Sequence, residues 1–361
     1  MKVTFFTARY SHSGVPLAQI RLANLFLERG YEIDFIVGYI PEGLALPKLE
    51  GINTIIFKQP RVFKMLGTII NYLRKNKPDI IISAEDHLNI VVLLSAIITR
   101  SKAKISVSSR VTPFDTYSNK IFTKRWFLKY FMMAVQSRAT ALVCVSKDMI
   151  KQYQEIFNTT RHQCIYNVVK DRHSQNRIDE SIDEPWLVNK TSPVIVTAGR
   201  LAPEKGYLDL ILAVKELSKR RDIRLIMLGD GEMRDTIESL IEKEDLSSIV
   251  KLVGFQSNPL KYYKNADVFV LSSYLEGLPN VLVEAMMCGC TPVSTDCPTG
   301  PREVLQNEQY GYLVPMHNPI EMAKGIEKAL DNPIAKETLQ KGVLEFTEEK
   351  VFSRYTEALK L

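Results

Sequence analysis

Val194-Ile195-Val196-Thr197-Ala198-Gly199-Arg200-Leu201-Ala202-Pro203-Glu204-Lys205-Gly206 runs from an apolar strand through a charged turn to the start of a helix. The β-branched run 194–197, closed by glycine, has the pattern of a strand buried on both faces. An apolar-periodic stretch over 208–220 supplies the helix. A second segment repeats the design further on. The run 268–271 is followed by Ser272, Ser273, Tyr274 and Leu275, then by the turn Glu276-Gly277-Leu278-Pro279-Asn280, then by a helix from Val281 through Leu282, Val283 and Glu284 to Cys288. Strand, turn and helix in repetition predict a parallel sheet covered by helices on both sides.

The same rhythm extends in both directions. Strands are predicted at 3–7, 33–37, 54–57, 80–83, 104–108 and 141–145, with helices at 18–29, 62–76 and 89–99 between them. The polar stretch 171–190, with Pro185 and then Pro193 near its end, reads as a linker. Beyond it come strands at 194–197, 224–228, 250–253, 268–271 and 291–294 and helices at 208–220, 232–244, 281–288, 320–330 and 335–341. A chain of 361 residues suits two cores of roughly 170 to 180 residues each. The expected architecture is α/β, two doubly wound Rossmann-like domains facing each other across a cleft. The first spans 1–170 and the second 171–345. In the last segment, 346–361, the periodic Val351, Phe352, Tyr355 and Leu359 predict a helix returning to the first domain.

Charge is shared unevenly. Residues 1–170 hold 24 Lys and Arg against 11 Asp and Glu, a balance of +13, whereas 171–361 hold 23 against 30, a balance of −7. This asymmetry fits either a solvated surface or attraction to an anionic partner, such as an inner membrane leaflet or a lipid-linked diphosphate. Lys120, Lys124, Arg125 and Lys129 interleave with Ile121, Phe122, Trp126, Phe127, Leu128, Tyr130 and Phe131, the composition of a basic amphipathic helix able to lie in an interface. No nucleic-acid motif accompanies the charge, so nucleic acid is not an expected partner. An odd count of five cysteines argues for a reducing compartment, and the expected location is cytoplasmic, peripheral on the inner face of the cell membrane. Cys288, Cys290 and Cys297 lack a fourth ligand at zinc spacing and read as small buried thiols. Met1 onward reads as a first strand, not a signal peptide, and the apolar stretch 90–98 is too short to span a bilayer.

The two quoted segments carry the chemistry. Arg200 and Lys205, on a turn at a strand's carboxyl end, suit a diphosphate whose charge grows as it leaves. Gly199 and Gly277 permit close backbone approach. The start of the helix after Pro279, at Asn280, Val281 and Leu282, offers N–H groups and a positive dipole. Glu284, one turn in, is placed to accept from a ribose diol, and Glu276 to reach a sugar. Taken singly, Glu284 also reads as a helix-surface residue and Glu276 as a cap. Both motifs at strand ends of one sheet place them on one rim and favour a nucleotide-sugar site. A base is expected over Gly229-Asp230-Gly231 and over Gly254-Phe255-Gln256, with Phe255 alternatively in the core.

Gly199-Arg200-Leu201 with Glu204-Lys205-Gly206, followed by Glu276 and Glu284, resembles the retaining glycosyltransferases of family 4, which have the GT-B fold. The likeness in order of elements covers nearly the whole chain and is most specific over 194–305. The resemblance implies transfer of a hexose or N-acetylhexosamine from a nucleoside diphosphate sugar, most often a UDP-sugar. The acceptor would be a lipid-linked or polysaccharide acceptor in bacterial glycan biosynthesis. It also implies Arg200 and Lys205 on the diphosphate, Glu284 on the ribose, Glu276 on the donor sugar, no metal and no other cofactor. The loop 294–305 is similar to one in enzymes that build surface polysaccharides, and equally fits a plain strand-to-helix connection set by Pro298 and Pro301.

The first domain departs from the family pattern. A Gly-Gly turn after the first strand is common there, whereas here Ser11-His12-Ser13-Gly14 offers Gly14 alone. In place of a family histidine stands Ser108-Ser109-Arg110-Val111-Thr112-Pro113, where Arg110 could stabilise negative charge at the acceptor side. Glu85, Asp86 and His87 form a cluster that either orients an acceptor hydroxyl or caps the helix near Asn89. No general base is assigned, because in the same-face transfer proposed for this fold the leaving phosphate oxygen takes the acceptor's proton. The alternatives are a GT-B nucleotide-sugar epimerase, a transferase for a soluble acceptor, and a non-catalytic binding protein.

Overall fold

The computed structural model describes residues 1–11, 14–110, 112–158 and 161–361. Of the turns named above, His12, Ser13 and Val111 lie outside the described residues. The chain divides into two compact units: Met1–Val168 with Glu348–Leu361, and Val169–Thr347.

In the first unit, β1 (Lys2–Arg9), β2 (Glu32–Tyr39), β3 (Ile52–Ile56), β4 (Ile80–Ala84), β5 (Lys104–Ser109), β6 (Ala141–Cys144) and β7 (His162–Cys164) form one parallel sheet in the order β3-β2-β1-β4-β5-β6-β7. Every residue of β4 is buried, as a strand covered on both faces requires. On one face Phe5, Phe26 and Phe35 pack together, and the helix Glu348–Leu359 adds Val351, Tyr355 and Leu359 to that cluster. Phe26 meets the Phe352 ring edge-on, with centroids 5.2 Å apart.

In the second unit, β8 (Val194–Ala198), β9 (Arg224–Leu228), β10 (Val250–Gly254), β11 (Val268–Leu271), β12 (Thr291–Thr295) and β13 (Tyr312–Val314) form a parallel sheet in the order β10-β9-β8-β11-β12-β13. Helices Tyr207–Ser218, Arg234–Lys243 and Pro319–Asp331 cover one face with a continuous apolar cluster. The chain progresses one way from β8 to β10, then crosses back and progresses the other way from β11. The order therefore reverses between β8 and β11, which is where open α/β sheets bind their ligands.

Several expectations are revised. The helix predicted over 62–76 is a 3-10 turn, Val62–Lys64, followed by the helix Met65–Asn76. Strands β7 and β13 are three residues long, too short for their periodicity to register. The stretch 171–190 is not a linker. It holds the helices Ser174–Ile178 and Pro185–Val188, with Ile178 and Leu187 buried. Its polar residues pair rather than face water alone. Arg177 bonds Asp171 at 2.7 Å, Lys251 reaches Glu184 at 2.9 Å, and Asn258 donates to the Arg177 carbonyl at 2.7 Å.

Candidate active site

The turn after β8 and the turn after β11 meet at the reversal point. Gly206, at φ 63°, lies so close to the second turn that a Cβ there would stand 2.1 Å from the Ser272 carbonyl oxygen. Backbone and side chain stitch the turns together: Tyr274 N–H donates to the Glu204 oxygen at 2.8 Å and Ser272 Oγ to the Lys205 oxygen at 2.7 Å. This close approach brings Lys205 Nζ to 2.7 Å from Glu276 Oε1, with both side chains largely shielded. Ser273 Oγ donates to the same oxygen at 2.6 Å. Thr299, from the loop after β12, donates to the Glu276 backbone carbonyl, so segments after three strands hold this residue, two of them through its carboxylate.

Glu284 lies in the second turn of the helix Asn280–Cys288 and is 7 % exposed. A buried carboxylate at this depth is not the surface residue that its position in the sequence also allowed. Its charge, after burial, helps push the Tyr263 phenol well above its ordinary value. Gly277 and Asn280 are half-buried, and Asn280 begins the helix with Val281 next in its first turn. Leu278 and Pro279 are buried, and Gly300 closes on them: a Cβ there would meet Pro279 Cδ at 2.5 Å. Leu282 is a correction. Its side chain is fully buried and its N–H donates to the Pro279 oxygen at 3.0 Å, so it packs the helix to the sheet rather than meeting a ligand.

Arg200 is not drawn onto Glu276. It is 61 % exposed and paired with Glu204 four residues on. Gly199 and Gly229 fix the neighbouring turn, since a Cβ on Gly229, at φ 144°, would lie 1.9 Å from the Gly199 oxygen. Phe255 is 48 % exposed, which removes it from the core, while half-buried Gln256 follows it on the loop after β10. Cys288, Cys290 and Cys297 are buried free thiols, and burial pushes Cys297 up to about 12. Ser273 and Thr299 join the site through their bonds to Glu276 without a sequence motif that marks them. Their signal in the sequence is modest: small hydroxyl side chains just beyond strand ends.

In the first unit, Gly14 begins the helix Gly14–Glu28 after β1, and Glu85 follows β4, the adjacent strand. Glu85 sits at φ 80° before the helix Asp86–Ile98 and makes no side-chain cap, so the capping alternative does not hold for its carboxylate. Asp86 is revised as an acceptor-side residue. It is buried and accepts from Ser109 Oγ at 2.7 Å and Tyr153 at 2.9 Å, which makes it an anchor for strand and helix. Arg110 is likewise buried, donating to Ser108 Oγ at 3.1 Å and to Asn167. His87 is exposed on the first helical turn.

Burial, then the Asp86 charge, pushes the Glu85 carboxyl from 4.5 to about 7, against the pull of Arg110. A carboxyl raised on folding contributes stability below its unfolded value and loses it as pH rises through the folded one. Wild-type melting temperature is therefore expected to fall relative to Glu85→Gln between about pH 4.5 and 7. Parallel melting curves for the two proteins would expose an error if they ran together across that window.

Two doubly wound parallel sheets, with Lys205 and Glu276 at the reversal point of the second, fit the GT-B class. Residues 178–343 match the family model described as Glycosyl transferases group 1. An uncharacterized glycosyltransferase of Methanocaldococcus jannaschii is 32% identical over 259 residues, spanning 68% of the chain and 62% of that relative. A Campylobacter jejuni transferase is 25% identical over 303 residues, 83% of the chain and 78% of that protein; its name describes transfer of N-acetylgalactosamine to a diphospho-undecaprenol acceptor. Among solved structures, Anabaena HepE in complex with UDP superposes with a TM-score of 0.82 over 100% of both chains at 18% identity. Residues 178–343 belong to the group 1 glycosyltransferase family, and the chain has the GT-B fold.

Proposed function

We propose that the protein transfers a hexose or N-acetylhexosamine from a UDP-sugar, with retention at the anomeric carbon and without a metal ion, to a lipid-linked or polysaccharide acceptor in bacterial glycan synthesis. The observation that carries this reading is the Lys205–Glu276 contact at the β8–β11 reversal. The bonds from Lys205 and Ser273 both fall on Oε1 of Glu276, which leaves Oε2 in position to accept from a donor-sugar hydroxyl. Lys205 has further N–H donors for the diphosphate, and Arg200 stands exposed on the same turn to close on it. Glu284 would accept from the ribose. The retained product follows if the leaving oxygen takes the acceptor's proton on the same face. The UDP in the HepE structure and the diphospho-lipid acceptor of the Campylobacter relative support the choice of donor and acceptor class.

A panel of UDP-, GDP- and dTDP-sugars tests the reading by thermal shift. At about a hundredfold excess over Kd, the right donor adds ~2.7 kcal/mol, a rise of about 5–10 °C for a domain of this size. UDP-sugars are expected to give that rise in the presence of chelator, and Glu284→Ala to abolish it. A rise with another nucleotide alone, or one that needs manganese, would overturn the choice of donor or the absence of metal. An unaltered rise in Glu284→Ala would move the site elsewhere.

A further inference from the structure

The segment around the helix Lys124–Val135 leaves an apolar surface uncovered. That helix buries only Lys129, Met132 and Val135. Ile121 is 63 % exposed, Phe122 81 %, Phe127 49 % and Phe131 59 %, with Tyr130 and Met133 also outward. Trp126 joins these rings into one surface, with centroids 4.5 Å from Tyr130, 5.0 Å from Phe127 and 6.0 Å from Phe122. The amphipathic pattern is inverted with respect to a helix that packs its aromatics inward. The inward position is held by Lys129, whose Nζ donates to Asn119 Oδ1 at 2.7 Å and lies 5.9 Å from the Phe157 ring. Phe122 adopts φ 59°, a conformation unfavourable for a bulky side chain, and in it the ring points largely into solvent.

Charge selects the occupant. Lys120, Lys124 and Arg125 are exposed beside these rings, and no Asp or Glu occurs between Asp115 and Asp148. An aromatic surface with Lys120, Lys124 and Arg125 beside it matches a boundary that is apolar within and anionic outside. We propose that this surface seats the first unit on an anionic lipid bilayer. Ile121, Phe122, Phe127 and Phe131 enter the boundary between headgroups and acyl chains, and Lys120, Lys124 and Arg125 meet lipid phosphates. The helix, of 12 residues, lies in the interface and does not span it. The inference goes beyond the transferase reading and stands whether or not the acceptor is lipid-linked.

The test is sedimentation of the full chain with vesicles of phosphatidylcholine alone or mixed with phosphatidylglycerol. Binding is expected only to the mixed vesicles, weakening with salt. Phe122→Ser with Phe131→Ser is expected to reduce partitioning by about tenfold or more, and each of Lys120→Gln and Lys124→Gln by roughly fivefold. The nucleotide-induced thermal shift stays unchanged in all of them, which separates this proposal from the donor reading. Equal partitioning by wild type and the double aromatic variant overturns it. So does a wild-type dimer, seen by analytical ultracentrifugation, that the same double substitution dissociates while neither protein binds vesicles.

Discussion

Replacing Lys205 with methionine is expected to lower sugar transfer by about 10²- to 10³-fold, the usual effect of removing one preorganised group from a developing charge. The ammonium is 2.7 Å from Glu276 Oε1 and belongs to the turn that ends β8, which is where the proposed donor's diphosphate would leave. The substitution has a second effect that must be separated from the first. Glu276 has a side chain only 11% exposed, and without its counter-charge it becomes a shielded, partly unpaired carboxylate, destabilising by about 1–3 kcal/mol. Adding Glu276→Gln to Lys205→Met removes that charge. The double variant should therefore melt nearer to wild type than Lys205→Met does, yet transfer no faster. Initial rates with a UDP-sugar and melting temperatures on all three proteins decide the matter. If Lys205→Met kept half the wild-type rate, the diphosphate role would be lost, whatever the stability data showed.

That pair also marks how far the sequence could be read. The runs 194–197 and 268–271 declared themselves as buried strands because a sheet covered on both faces needs apolar residues at every position. Their adjacency was not legible, since strand order is decided by crossovers between them; only the sheet order places Lys205 and Glu276 at one reversal point. Glu284 was legible as a candidate through its spacing from Glu276, but its burial depends on what the helix Asn280–Cys288 packs against. Asp86 and Arg110 looked like acceptor-side charges. Their partners, Ser109 and Tyr153 in one case and Ser108 and Asn167 in the other, lie up to 67 residues away, and no local pattern announces such pairings. Lys129 failed for a related reason: a helix that alternates basic and aromatic residues specifies two possible inward faces, and the bond to Asn119 selects one. The polarity of 171–190 was read as solvation, although its charges were set against partners such as Lys251.

Gly206→Ala is expected to destabilise the second unit by about 3 kcal/mol or more, among the largest effects of a single methyl group. Two penalties act together. Gly206 sits at φ 63°, which costs a residue with a Cβ about 1–2 kcal/mol. In addition the new Cβ would lie 2.1 Å from the Ser272 oxygen and 3.0 Å from the Tyr274 ring, and the first of these is backbone that no rotamer change can clear. Gly254→Ala separates the two contributions, because Gly254 has φ 81° with nothing within 4 Å of the added carbon; it should lose only the conformational part. Relief of the clash in Gly206→Ala requires the turns after β8 and β11 to part. That movement would lengthen the Lys205–Glu276 contact and break the bond from Ser272 to the Lys205 carbonyl, so surviving folded protein should bind a UDP-sugar more weakly than wild type does. Urea denaturation of both variants and titration with nucleotide sugar measure the two consequences. Equal stability of Gly206→Ala and Gly254→Ala would mean that the turns are not pressed together as described, and the geometry on which the donor site rests would fall with it.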